Sequence, residues 1–344
     1  MKIHLVLAAL MALLAVPAYA QPDTASPNGP AVAVERITVH GASLEGNLEG
    51  DSPDRHVIVY LPPSYAHNRT HRYPVVYALH GYSIDNERWT TEIHPLEGLQ
   101  AAYAAGAHEM IVVLPDARTL HNGSMYSNSV TIGDWETFIT RDLVSYIDAH
   151  YRTIADRRAR GLAGHSMGGY GVVRLGMKHP EVYSSLYIMS PCCLSARGAP
   201  PDTLLQTLAA LKTPADSTQL GFFERATLAT AAAWSPNPQK PPFYFDLPIG
   251  DEASKQAVLA EWAANAPIAM VPQHIFDLRR YDAIAMDVGD QDGLRVDAAE
   301  LNRILNANGV QTTFEIYSGD HVNHVADRFR DHVLPFFSAH LATH

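Results

Sequence analysis

One stretch decides the fold of this 344-residue chain: Gly161-Leu162-Ala163-Gly164-His165-Ser166-Met167-Gly168-Gly169-Tyr170. Its centre, Gly164 to Gly168, fits the pattern G-x-S-x-G, in which a serine stands on a tight turn between a strand and a helix. Small residues two positions before and after the serine let the strand and the helix pass closely, while the serine takes a strained backbone conformation. The pattern predicts Ser166 as a nucleophile; the alternative is a glycine-rich turn with a capping serine.

The residues on both sides of this turn favour the nucleophile. Arg158 to Ala163 predicts a short buried strand, and Gly169 to His179 predicts a helix. The same alternation occurs elsewhere, with strand-like runs at 73–79, 110–114 and 183–189 and helical spacing at 97–105 and 135–151, the last with Asp134 as N-cap. Such an alternation predicts an α/β protein with a parallel sheet and helices on both of its faces.

The N-terminal end and one long segment depart from this alternation. Residues 34–40 and 56–61 predict an antiparallel start to the sheet. Residues 190–280 carry helical patterns at 203–211 and 253–264 without a clear strand, which predicts a helical and loop insertion over the turn that holds Ser166. The alternation then resumes with strands at 282–288 and 312–317, a helix at 296–308 and a last helix at 326–341 that bends at Pro335.

The N-terminus carries the pattern of a secretory signal. A positive charge precedes an apolar run at 5–16, and Ala18-Tyr19-Ala20 fits a cleavage site. The apolar run is too short to span a bilayer, so residues 1–20 are expected to be cleaved and the mature chain to be secreted or periplasmic. Residues 21–33 are expected to form a disordered leader, and residues 34–344 a single domain.

The composition limits the classes of partner that the protein can bind. The chain has 36 acidic against 25 basic residues, a net charge of −11, which makes nucleic acid and anionic membranes poor partners. No stretch after the signal predicts a membrane span. The two cysteines, Cys192 and Cys193, are adjacent and cannot link distant segments; two buried thiols are expected, with a strained vicinal disulfide as the alternative.

A nucleophilic serine needs a base within hydrogen-bond reach and an acid that orients the base. Where a G-x-S-x-G serine is catalytic, acid and base follow it in that order, on loops after the last strands. The loop after 282–288 offers Asp292, which lies deepest in it, with Asp290 and Asp287 as alternatives. The competing role for each of the three is to cap the next helix.

The base is predicted from the loop after the last strand. His321 falls on that loop, whereas His324, one helical turn further, begins the last helix. The two histidines as a metal pair are the alternative, but no further ligands at recognisable spacing accompany them. His321 is therefore the predicted base, and no metal is expected.

The developing oxyanion requires two backbone donors. Met167 N–H, directly after Ser166, and Tyr82 N–H, after His80-Gly81, are predicted to supply them, and His80 is expected to be a buried structural histidine. Four aromatic residues are candidates for an acyl or alcohol pocket, although each also suits an ordinary core. They are Trp89, Tyr126, Trp135 and Trp234.

Five stretches together resemble the putative-esterase group of the α/β-hydrolases, which includes esterase D, feruloyl and acetylxylan esterases, enterochelin esterases and mycolyltransferases. In order, they are Val57 to Tyr65, Tyr73 to Gly81, Gly164 to Gly169, Gly289 to Asp292 and Tyr317 to His321. The resemblance implies the α/β-hydrolase fold over 34–344, with a mostly parallel central sheet flanked by helices. It also implies a triad of Ser166, Asp292 and His321 and oxyanion donors at Tyr82 and Met167.

Residues and resemblance together predict an exported serine carboxylesterase that forms an acyl-enzyme on Ser166 without metal or organic cofactor. Its substrate is expected to be a small-molecule or carbohydrate-linked ester, with feruloyl and acetyl esters as models. The insertion at 190–280 is longer than in the compact feruloyl esterases and shapes the pocket. An acyltransferase with the same triad is the first alternative; a non-catalytic binding protein is disfavoured by the complete triad, and a peptidase by the lack of propeller-like repeats.

Overall fold

The computed structural model describes residues 31–344. The expected signal at 1–20 and most of the expected leader at 21–33 lie outside these residues. The first strand begins at Ala33, one residue inside the expected leader. No helix in the described part is both long and apolar enough to cross a membrane.

A central sheet of eight strands carries the fold. The strands are β1 (Ala33–His40), β2 (Asp54–Leu61), β3 (Val75–Leu79), β4 (Ile111–Pro115), β5 (Arg160–His165), β6 (Ser185–Met189), β7 (Ala283–Gly289) and β8 (Thr313–Tyr317). Their order across the sheet is β1-β2-β4-β3-β5-β6-β7-β8. β2 runs antiparallel to both of its neighbours, β1 and β4, and every other pair in this sheet is parallel, so the predicted antiparallel start and parallel remainder are confirmed.

Helices cover both faces of this sheet. They are α1 (Asn86–Ile93), α2 (Pro95–Ala104), α3 (Trp135–Thr137 and Leu143–His150, joined by the π-turn Phe138–Asp142), α4 (Met167–Lys178), α5 (Asp202–Ala209), α6 (Phe222–Trp234), α7 (Glu252–Ala264), α8 (Arg295–Ala307) and α9 (Val325–Arg328 and Leu334–His340, joined by the π-turn Phe329–Val333). Asp134 caps α3 as predicted, accepting from the Thr137 N–H at 2.9 Å. The break in α9 comes just before Pro335, which cannot donate the next backbone hydrogen bond.

The core lies on both sides of the sheet, as β3 illustrates. Its side chains alternate between two hydrophobic clusters: Val75, Tyr77 and Leu79 face one, and Val76 and Ala78 face the other. All five are fully buried, because a strand with helices on both faces has no solvent side. β5, which pairs with β3, is likewise buried over most of its length and delivers Ser166 to the carboxyl edge of the sheet.

The segment 190–280 is helical and loop-like, as expected. It contains α5, α6 and α7 and two single-turn helices, Pro267–Met270 and Ile275–Leu278. It packs on the helix that follows Ser166, since Tyr170 OH donates to the Asn265 carbonyl at 2.9 Å. Two helices were not predicted from the sequence: α6, and α1 in the first half of the chain.

Candidate active site

Ser166 stands on a strained turn between β5 and α4. Its backbone has φ 58° and ψ −111°, a combination that residues with a side chain rarely adopt. A Cβ on Gly164 would overlap the backbone of Gly168, and one on Gly168 would overlap the carbonyl of Leu79. The glycines of the motif are therefore required by backbone contacts, and the turn presents the serine hydroxyl clear of strand and helix.

Three side chains from distant parts of the chain meet at this turn. His321 Nε2 lies 2.9 Å from Ser166 Oγ, and His321 Nδ1 lies 2.7 Å from Asp292 Oδ2. A carboxylate can only accept, so Nδ1 carries the proton and Nε2 is free to accept from the serine hydroxyl. The structure thus brings together the three residues that the sequence predicts, in the arrangement of a nucleophile, a base and an orienting acid.

Asp292 is ionised at neutral pH. Its side chain is only 2 % exposed, and burial by itself raises the pKa of a carboxyl group. The hydrogen bonds from His321 and from the Leu294 N–H, at 2.9 Å, outweigh this effect and hold the pKa of Asp292 below its usual value. The carboxylate can therefore stabilise a positive charge on His321 during a reaction.

The two competing aspartates have structural contacts instead. Asp290 accepts from the Gly319 N–H at 3.0 Å, and Gln291 N–H donates to the Gly319 carbonyl at 2.9 Å, so this residue pair ties the acid loop to the base loop. Asp287 is buried within β7 and accepts from Arg328 Nε at 2.9 Å. Neither contacts His321 in the way that Asp292 does.

Two further histidines lie near the base. His324 is exposed, and its Nδ1 lies 3.2 Å from Asp327 Oδ2 at the start of α9. His165 is buried and donates from Nε2 to the backbone carbonyl of His321 at 2.8 Å, with the two rings 4.7 Å apart. Burial, together with the neighbouring His321, lowers the pKa of His165 to about 3, so it stays neutral and positions His321 without competing for its proton.

No group of three or more His, Cys, Asp or Glu side chains in residues 31–344 is arranged to hold a metal ion. His321 and His324 do not form such a group either: Asp292 contacts His321, Asp327 contacts His324, and the two contacts are separate.

The two predicted oxyanion donors come from neighbouring loops. Gly81 brings its loop against the nucleophile, since a Cβ on Gly81 would lie 3.4 Å from Ser166 Cβ. A Cβ on Gly123 would lie 2.6 Å from Met167 Sδ and 2.7 Å from the Tyr82 ring, so the loop at 117–133 wedges between these two residues. Among residues 31–344 neither the Tyr82 nor the Met167 amide donates to a protein acceptor, which leaves both for a ligand.

His80 fixes the shape of the first oxyanion loop. Its Nε2 accepts from the Ala117 N–H at 2.8 Å, so its Nδ1 carries the proton and donates to the Gly81 carbonyl at 2.8 Å. Tyr126 OH donates to the His80 carbonyl at 3.0 Å. His80 is fully buried and has the structural role expected from the sequence.

The four aromatic residues predicted for the pocket lie in the core, which corrects that prediction. Trp89, Tyr126 and Trp135 are 0 % exposed and Trp234 is 9 % exposed. Trp89 packs on Phe329, and its ring fills the space between a helix and the sheet. Residues so enclosed offer a substrate almost no surface, because their rings are covered by helices and loops that the sequence alone did not place.

The rim of the site instead carries two phenylalanines that were not predicted from the sequence. Phe222 and Phe223 open α6 and are 56 % and 73 % exposed. The Phe222 ring lies edge-on to the Tyr82 ring, with centroids 5.2 Å apart, and Phe223 packs on Phe222 at 5.4 Å. The only signal in the sequence is the pair of adjacent phenylalanines, since helix α6 itself was not predicted.

Comparisons with known proteins agree with this architecture. Among curated proteins, an esterase of Mycobacterium tuberculosis strain H37Rv is 37% identical over 134 residues, which are 38% of this chain and 27% of that protein. The match thus spans about a quarter of the length of the curated relative.

Solved structures match over nearly the whole chain. A ferulic acid esterase superposes with a TM-score of 0.66 at 25% identity, covering 91% of this chain and 99% of that one. An S-formylglutathione hydrolase from Staphylococcus aureus superposes with a TM-score of 0.59 at 17% identity, covering 89% of this chain and 99% of that one, and shows the shared fold.

A family model described as "Putative esterase" matches residues 52–343. This range includes the turn at Ser166 and the loops that carry Asp292 and His321. The chain therefore belongs to the Putative esterase family, with the α/β-hydrolase fold.

Proposed function

We propose that this protein is an exported serine carboxylesterase that hydrolyses its substrate through an acyl-enzyme on Ser166. The observation that carries the proposal is the continuous hydrogen-bond chain from Ser166 Oγ through His321 to Asp292, with distances of 2.9 and 2.7 Å. These distances fall within the range in which a base can take a proton from a nucleophile.

Each group has a distinct part in the reaction. His321 Nε2 removes the hydroxyl proton as Ser166 Oγ attacks the ester carbonyl carbon, and the amides of Tyr82 and Met167 stabilise the oxyanion. His321 then gives the proton to the departing alcohol, which leaves an acyl group on Ser166. Water, deprotonated by His321, attacks this acyl group and releases the acid, while Asp292 stabilises the charged imidazole in both steps.

The rim favours esters with an apolar part close to the reacting carbonyl. Phe222 and Phe223 form an exposed aromatic edge beside Tyr82, and aromatic edges bind aromatic and aliphatic groups alike. One solved relative is named a ferulic acid esterase. We therefore infer that methyl ferulate and short aliphatic esters are the first substrates to test.

Export is part of the proposal because of the N-terminal pattern. A charged start, an apolar run at 5–16 and Ala18-Tyr19-Ala20 support cleavage after residue 20. N-terminal sequencing of protein recovered from the cell exterior or periplasm tests this, with a mature N-terminus at Gln21 as the expected result and an intact Met1 start as the contrary one.

The activity is tested with a panel of p-nitrophenyl esters of increasing chain length, methyl ferulate and acetylated xylan. Ser166→Ala is expected to remove turnover while the protein stays folded. His321→Ala is expected to lose activity by orders of magnitude, whereas His324→Ala serves as its matched control and keeps most of it. Added alcohols separate hydrolysis from acyl transfer, because a transferase would yield a new ester.

Retention of substantial activity by Ser166→Ala would place the nucleophile elsewhere. Equal losses in the two histidine variants would remove the assignment of His321 as base. A new ester as the main product would replace the esterase by an acyltransferase with the same triad.

A further inference from the structure

The two cysteines lie side by side directly behind the nucleophile. Cys192 and Cys193 are free and half-buried, and their sulfur atoms are 2.7 Å apart. The Cys192 N–H donates to the carbonyl of Ser166 at 3.1 Å. The backbone of this cysteine pair is therefore coupled to the residue proposed to attack the ester.

The segment that holds the pair is packed against the nucleophile turn on a second side. A Cβ on Gly169 would lie 2.8 Å from the Met189 carbonyl and 2.9 Å from Pro191 Cα. The Ser166 N–H also donates to the Met189 carbonyl at 3.0 Å. Ser166 thus uses both its N–H and its carbonyl to contact the segment 189–192, so a change in the cysteine backbone has a direct route to the nucleophile.

A bond between these sulfurs suits a reversible site better than a structural link. Consecutive Cα atoms are about 3.8 Å apart across a trans peptide bond, which is shorter than the span of about 4.4–6.8 Å in ordinary disulfides. A bridge between neighbours is therefore strained, and strained disulfides are reduced easily. Such a bridge also closes no long loop, so it adds little to the stability of the fold.

We propose that Cys192 and Cys193 form a thiol–disulfide site that small-molecule disulfides oxidise reversibly, and that the oxidised pair slows the reaction at Ser166. The effect on rate rests on the proposed esterase function, whereas the formation of the bond does not. Joining the sulfurs strains the short ring that contains the peptide unit between the two residues. The backbone torsions at Cys192 must adjust to this ring, and the N–H of the same residue donates to the Ser166 carbonyl, so we expect the adjustment to reach the nucleophile.

The exchange is balanced and needs only the named oxidant. The Cys193 thiolate attacks one sulfur of a small disulfide, RSSR, forming a mixed disulfide and releasing RS⁻. The Cys192 thiolate then attacks the Cys193 sulfur, closes the protein disulfide and releases the second RS⁻. Two cysteine thiols are oxidised, one RSSR is reduced to two RSH, and the two thiol protons pass to the leaving thiolates.

Cys193 is the better first nucleophile. The hydrogen-bond contact with the Cys192 sulfur, 2.7 Å away, and the Arg197 guanidinium lower the pKa of Cys193, against burial and Asp297, which raise it. A lower pKa increases the thiolate fraction at neutral pH, and the thiolate is the attacking form.

The test equilibrates the full chain in glutathione buffers of increasing oxidised fraction and follows two readouts. Intact-mass spectrometry is expected to show the loss of two hydrogens, about 2 Da, with both thiols blocked to alkylation. The rate of p-nitrophenyl acetate hydrolysis is expected to fall about tenfold in parallel and to recover on reduction, since a shifted nucleophile loses rate steeply. The variant Cys192→Ser lacks the resolving thiol and is expected to keep one glutathione on Cys193, with Cys193→Ser as its matched control.

The outcomes separate the two parts of the inference. No mass loss at any buffer ratio, or no glutathione on Cys193 in Cys192→Ser, overturns the site. Mass loss with an unchanged hydrolysis rate overturns the coupling to Ser166. A protein that forms the bond but hydrolyses no ester under either condition contradicts the proposed function and leaves the thiol site standing.

Discussion

Replacing Asp292 by asparagine removes a charge while keeping the shape of the side chain. The Asn oxygen can still accept from the Leu294 N–H, which lies 2.9 Å from Asp292 Oδ1. The new amide group then faces His321 Nδ1, the atom now 2.7 Å from Asp292 Oδ2. To accept from that amide, the imidazole must move its proton to Nε2.

This change removes the base. His321 Nε2 is the atom 2.9 Å from Ser166 Oγ, and once protonated it cannot take the serine proton. We expect kcat for p-nitrophenyl acetate to fall by about 10⁴, or about 5 kcal/mol of barrier. KM is expected to change little, because Asp292 is buried behind His321 and does not line the opening.

The matched control is Asp290→Asn, two residues earlier on the same loop. Its side chain accepts from the Gly319 N–H at 3.0 Å, and asparagine retains that acceptor, so we expect a change in kcat of about threefold or less. Both variants are compared with the unmodified protein by steady-state kinetics and by thermal unfolding. A kcat above a tenth of normal for Asp292→Asn, or an equal loss for Asp290→Asn, would refute the assignment of the acid.

Three further changes test the fold and the rim. Gly164→Ala forces a Cβ into the Gly168 backbone and is expected to lower the free energy of unfolding, measured in urea, by about 1–3 kcal/mol. In the control Gly198→Ala the new Cβ has no atom within 4 Å, and the free energy of unfolding should change by about 0.5 kcal/mol or less. Equal effects would contradict the requirement for glycine at position 164. Glu136→Gln breaks a buried pair with Arg174, 2.7 Å away, and is expected to cost about 3 kcal/mol at pH 7. Burial raises the pKa of Glu136, but His179, Arg174 and Lys178 lower it to about 2 from 4.5. The ionised carboxylate therefore stabilises the fold fully above about pH 4.5, and this stabilisation is lost as the pH falls towards 2. The acid unfolding profile of Glu136→Gln should lack this loss, and a profile identical to that of the wild-type protein would contradict the assigned role of Glu136. Phe222→Ala should raise KM for methyl ferulate about threefold to tenfold with little change in kcat. The control Phe276→Ala, at a phenylalanine that is 80 % exposed against 56 % for Phe222, should not; the same KM in both variants would exclude the rim from substrate binding.

Much of the fold, and which candidate residues meet at the turn of Ser166, could be predicted because the signals are local. The motif around Ser166 requires glycines at fixed positions, and the loops carrying Asp292 and His321 directly follow strands with continuous apolar runs. The choice between Asp292 and Asp290 rested on depth in the loop, and in the structure the carboxylate within hydrogen-bond distance of His321 is that of Asp292.

The missed elements lack such signals. Helix α1 reads Asn-Glu-Arg-Trp-Thr-Thr-Glu-Ile and buries only three of its residues, so its apolar stripe is too sparse to see in the sequence. Helix α6 is rich in alanine and begins after Gly221 without a side-chain cap, so neither its periodicity nor its start stands out.

The pocket was mispredicted for a different reason. Burial of an aromatic ring depends on what the fold packs against it, and the sequence does not reveal that Trp89 meets Phe329, 240 residues away, while Phe222 meets solvent. The contact between His165 and the His321 carbonyl spans 156 residues and was equally hidden, although His165 lies inside the motif.

The most direct test is to label the protein with a fluorophosphonate, which reacts with activated serines, and to map the modified residue by peptide mass spectrometry. Our prediction is one label per chain, on Ser166, formed rapidly in the wild-type protein and lost or slowed by orders of magnitude in His321→Ala. Labelling at another residue, no labelling of folded protein, or labelling of Ser166 that is indifferent to the loss of His321 would contradict it.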